Sequence, residues 1–136
     1  MRYALGITLD APYEKAVERT REALADQGFG VLSEIDISAT LRAKLDVDVP
    51  AQVILGACRP PLAHAGLQLE PSLGLLLPCN VVVRALDEST TRVEAVDPQV
   101  MVTLTGNDAL QEVADEATSR LRAALDSLAP EQNPRD

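Results

Sequence analysis

NVVVRALDESTTRVEAV, residues 80–96, holds two apolar-rich runs separated by four polar, turn-forming residues. Residues 80–86 and 91–96 have the β-branched content of strands, and Asp87-Glu88-Ser89-Thr90 suits the turn of a hairpin. A hairpin fixes two sheet neighbours as antiparallel, which argues for an α+β domain rather than a doubly wound parallel sheet.

Working outward, residues 2–9 (RYALGITL) alternate, with Tyr3, Leu5, Ile7 and Leu9 on one expected face. Asp10 and Pro12 then signal a helix start, because proline tolerates the first turn and a carboxylate favours its positive end. Tyr13, Val17, Thr20 and Leu24 recur at helical spacing as far as Gly28, a C-terminal stop. Phe29, Val31, Ser33 and Ile35 are expected to form one face of a second strand, with Glu34 pointing away from it and exposed. Ser38 is expected to cap a short helix carrying Leu41 and Leu45 one turn apart. Residues 53–55 read as a third strand, running through Gly56-Ala57-Cys58 into a short helix opened by Pro60-Pro61 and closed by Pro71.

The end of the chain has the clearest helical period. Leu110, Val113, Ala117, Leu121, Leu125 and Leu128 form one stripe, capped by Asn107 and stopped by Pro130. The sum is a two-layer α+β sandwich: a mostly antiparallel five-stranded sheet with helices on one face. Residues 1–129 are expected to be one domain and residues 130–136 a disordered tail. The uncovered sheet face is where a second copy would pack, so a homodimer is expected.

Composition narrows the function classes. Hydrophobic residues make up 46% of the 136, but only Tyr3, Tyr13 and Phe29 are aromatic, so the core must be aliphatic. Twelve basic against 21 acidic residues leave a net charge of −9, which disfavours nucleic acid and anionic membrane surfaces as partners. The apolar run at residues 73–77 is far short of the roughly 20 residues that span a bilayer. With no basic segment leading into an apolar stretch, export is not expected and a cytoplasmic location is. The two cysteines are expected to be thiols there.

The chemistry concentrates in residues 56–64 (GACRPPLAH) and 76–80 (LLPCN). Cys58 falls where a strand gives way to a helix. Unpaired N–H groups at the helix start and the neighbouring Arg59 can stabilise a thiolate. The plain alternative is a small packed residue, since free cysteine is among the most buried types. Cys79 follows Pro78 at the start of a strand, where it too can simply be core. Cys58, His64 and Cys79 are ligand types for zinc or haem, but their spacing matches no metal signature, and His64 reads better as an exposed or packed residue. No phosphate-binding glycine loop or serine nucleophile elbow is present in the sequence.

Residues 28–36 (GFGVLSEID), 56–63 (GACRPPLA), 76–83 (LLPCNVVV) and Asp97-Pro98 together resemble the family of domain of unknown function 302. The resemblance implies a small two-layer domain, found as a homodimer in bacterial or archaeal cytoplasm, with no assigned reaction or cofactor. It carries over Glu34, Asp36, Cys58, Pro60, Pro61, Pro78, Cys79, Asn80 and Asp97; Arg59 stands where the family pattern has Asn. Three functions then compete. Cys58, Cys79, Asn80 and Glu34 can form a site for a small molecule or metal; Cys58 and Cys79 can be a redox or catalytic thiol pair; or the protein is purely an interaction dimer. No base is evident beside either cysteine, which ranks binding above catalysis.

Overall fold

The computed structural model describes residues 3–129. Its strands are β1 (Ala4–Leu9), β2 (Gly30–Asp36), β3 (Gln52–Cys58), β4 (Cys79–Ala85) and β5 (Thr91–Val96). They form one sheet in the order β1-β5-β4-β3-β2, and every pairing is antiparallel. The β4–β5 hairpin lies in the middle of the sheet, leaving β1 and β2 as edges. The architecture is α+β, as residues 80–96 imply.

Helices α1 (Tyr13–Asp26) and α5 (Gln111–Leu128) pack against each other and cover one face. Every member of the α5 stripe is buried, from Leu110 to Leu128. Beneath them lie Leu5, Leu9, Val53, Leu55, Val81, Val83, Val93 and Ala95, the inward residues of four strands. Small residues let the helices approach closely: Ala16 and Ala23 of α1 and Ala117 and Ala124 of α5 are all buried. A core with so few rings achieves its density through such short contacts.

A second, smaller cluster forms at one end of the sheet. It joins Leu73, Met101, Leu110, Val113 and Ala114. Helix α3 (Pro60–Leu69), a 3₁₀ turn over Pro71–Leu76 and helix α4 (Gln99–Thr105) build it against α5. Pro71 closes α3 and also opens the 3₁₀ turn.

Several expectations change. Tyr3 precedes β1 and is 64% exposed, so it does not extend the buried face of Leu5 and Leu9. In β2 the register shifts between Val31 and Ser33. This bulge leaves Val31 on the helix side and turns Ser33 and Ile35 to the open face, while Glu34 and Asp36 turn toward the helices. Helix α2 (Ile37–Leu45) is capped by Asp36, whose Oδ1 accepts from the Ala39 N–H at 2.8 Å; Ser38 lies inside the first turn and donates to the same oxygen. Leu45, one turn after Leu41 on that helix, is exposed. Asn107 caps a 3₁₀ turn over Asp108–Leu110 that leads into α5. The tail expected from residue 130 lies outside the described residues. No helix among the described residues is long and apolar enough to cross a membrane.

Candidate functional site

Cys58 is the last residue of β3 and Cys79 the first of β4. The β3–β4 ladder pairs Ala57 with Cys79, so Cys58 is one residue beyond the partner of Cys79. Both cysteines are half-buried free thiols and both line one cavity of about 20 Å³. That is room for roughly one water molecule. Phe29 and Ala57 of the main core and Leu73 and Met101 of the second cluster also line it, so the cavity marks the seam between the two clusters.

The backbone around Cys58 departs from expectation in one respect that matters chemically. Pro60 and Pro61 occupy the first turn of α3 and have no N–H to offer. The next two amides, of Leu62 and Ala63, both donate to the Arg59 carbonyl, at 3.0 and 3.1 Å. The start of α3 therefore has no free amide pair with which to stabilise a thiolate, unlike the helix start expected after Cys58.

Arg59 is also committed elsewhere. Its Nε donates to the Gln27 carbonyl at 3.2 Å, and its Nη1 stands 3.6 Å from the Glu116 carboxylate. The guanidinium crosses Gly28, which has φ +82°; a Cβ there would lie 3.0 Å from Arg59 Nε. Arg59 thus ties the end of α1 to α5 and forms one wall of the cavity.

Burial pushes the Cys79 thiol up to about 11, with the neighbouring Cys58 adding a smaller push in the same direction. Near neutral pH Cys79 is therefore held as the thiol. Pro78, joined to Leu77 by a cis peptide bond, packs over Gly56 on the adjacent strand; a Cβ on Gly56 would stand 2.9 Å from Pro78 Cγ. The missing side chain at Gly56 is what admits the Pro78 ring.

The other candidates lie apart. Asn80 pairs with Gly56 and faces away from the helices, exposed beside a shallow depression of about 390 Å³ on the open sheet face. Glu34 pairs with Leu55 and forms an ion pair with Arg21 of α1, so it does not reach the thiols. His64 is exposed on α3 and is not among the residues lining the cavity. Asp97 accepts from the Gln99 N–H at 3.0 Å and starts α4. Among the described residues, no three His, Cys, Asp or Glu side chains converge as a metal site.

Met101 is the cavity residue that sequence reasoning passes over. It lies on α4, a seven-residue helix without a long apolar stripe, and Asp97-Pro98 was the available sign that a helix begins there.

The sequence model of the family described as domain of unknown function DUF302 matches residues 5–128. Among solved structures, the chain is similar to the uncharacterized conserved protein DUF302 from Bacillus stearothermophilus. The two share 29% identity over 94% of this chain and 99% of that one, with a TM-score of 0.86. No match to a curated protein is found.

Proposed function

The chain belongs to the family of domain of unknown function DUF302, and from that premise we propose that it is a binding module whose Cys58–Cys79 cavity takes a small ligand or a metal ion. The observation that supports this reading most is that two thiols from neighbouring strands line a single cavity at the seam of the core. Two polarisable, ionisable groups around one void are what a binding site would use.

A second reading, a redox thiol pair, draws on the same register. Paired residues of antiparallel strands have Cα atoms about 4.5–5.5 Å apart, and a disulfide needs Cα atoms within about 7 Å. Cys58 is offset by one residue from Ala57, the partner of Cys79, so the two are near in the ladder but not directly opposed. Binding ranks above it because the cavity lining supplies no general base: its one charged residue is Arg59.

The same proposal places the protein in the cytoplasm as a homodimer. Support for the dimer comes from the stretch β2 to β3, where Leu32, Ile35, Leu45, Val47 and Val49 are all exposed, and from the bare sheet face. Intact mass and metal analysis of freshly purified native protein tests the reading. A stoichiometric bound species lost on blocking the thiols supports it, and an empty protein indifferent to every metal and thiol ligand offered contradicts it.

A further inference from the structure

The donor set of the cavity can be read from its lining. The side chains of Phe29, Ala57, Leu73 and their aliphatic neighbours offer no lone pair, and the Arg59 guanidinium has no acceptor. That leaves three sulfur atoms: the thiols of Cys58 and Cys79 and the thioether of Met101. They come from three different elements, the end of β3, the start of β4 and α4. Met101 is 5% exposed, so its thioether competes with little water.

Resting on the cavity reading above, we propose that this seam is a soft-metal site in which Cys58, Cys79 and Met101 hold one Cu(I) ion through sulfur alone. Thiolate and thioether ligands select Cu(I), whereas calcium and magnesium require oxygen donors, of which the lining side chains have none. Zinc takes four ligands in structural sites, and Met is not among its usual ones. No third His, Cys, Asp or Glu among the described residues joins the pair to make up such a set. The void of about 20 Å³ suits a single small body rather than an organic ligand.

Charge also balances. Binding releases one proton from each thiol, so Cu(I) with two thiolates carries one net negative charge and no electron is transferred. A buried anion is costly unless a cation faces it. Arg59 is the positive group in the lining; it is anchored by the Gln27 carbonyl and by Glu116, 3.6 Å from its Nη1, so it offsets only part of that charge.

The test is an anaerobic titration of reduced, metal-free protein with Cu(I) against the chelator bicinchoninate, followed by X-ray absorption. The proposal expects one Cu(I) per chain withdrawn from the chelator and a shell of sulfur only. Met101→Leu, which conserves volume, keeps the fold and weakens Cu(I) binding at least tenfold; Cys79→Ser abolishes it, with Cys79→Ala as the second variant should a buried serine misfold. Copper left wholly with the chelator, nitrogen or oxygen in the shell, or wild-type affinity in Met101→Leu would overturn it. Iodoacetamide labelling separates this from the cavity reading. Cys58 labelled at the same rate with and without Cu(I) removes the metal and leaves an accessible cavity. Cys58 unlabelled in the metal-free protein removes the accessible cavity itself.

Discussion

Arg59 donates from Nε to the carbonyl oxygen of Gln27, 32 residues earlier in the chain, and does so across the bare backbone of Gly28. Gly28 serves this contact twice. Its φ of +82° is open to glycine at little cost, and the absent Cβ leaves space for the guanidinium. Gly28→Ala is therefore expected to cost about 1–2 kcal/mol, from left-handed strain plus a displaced Arg59. Denaturant unfolding checks this; an unchanged midpoint would mean that the turn tolerates a side chain and that Arg59 is not held there.

Leu121 is 1% exposed at the middle of the α5 stripe, against α1 and the sheet. Leu121→Ala is expected to cost ~2–5 kcal/mol, the range for truncating a buried leucine. A loss below about 0.5 kcal/mol in urea unfolding would place the residue outside the core.

What the sequence makes legible follows from how local each signal is. The α5 stripe and the β4–β5 hairpin depend on spacing within a single segment, and both are found where the periodicity places them. β2 goes wrong because its bulge arises from pairing with β3, and alternation alone cannot show an inserted residue. The site divides in the same way. Cys58 and Cys79 come together because β3 and β4 are neighbours in the sheet. Asn80 follows Cys79 directly, yet strand alternation sends it to the opposite face. Met101 enters the cavity from a short helix without a periodic signature, and the proline pair after Arg59 removes the amides that a generic helix start promises.

Cys79 makes stability depend on alkaline pH. Its folded value of about 11 lies above the ordinary 9.0, so the folded state holds this proton more tightly than the unfolded chain. The contribution is fully present below pH 9 and is lost as pH rises through 11. At most about 2–3 kcal/mol is at stake. Metal-free wild type should lose stability between pH 9 and 11 more steeply than Cys79→Ala. Parallel curves for the two proteins would show that the thiol is solvated.

The proposed dimer predicts a sedimenting species of twice the 14.5 kDa chain mass at micromolar concentration. Leu32 is 70% and Ile35 47% exposed on the edge strand, so a glutamate at either position disturbs little within one chain. Leu32→Glu and Ile35→Glu should therefore shift the protein to monomer with its far-ultraviolet circular dichroism intact. A wild-type protein that sediments only as the single chain contradicts the dimer.

Brief labelling with limiting iodoacetamide near neutral pH tests whether Cys58 and Cys79 flank a cavity that a ligand can enter. Burial holds Cys79 protonated, with its pKa pushed up to about 11, so Cys58 is the thiol left to react. Peptide mapping should find Cys58 alkylated first and Cys79 modified only after denaturation, with a bound metal or thiol ligand slowing Cys58. Equal protection of both thiols in the native, ligand-free protein would contradict the account and leave two packed core residues.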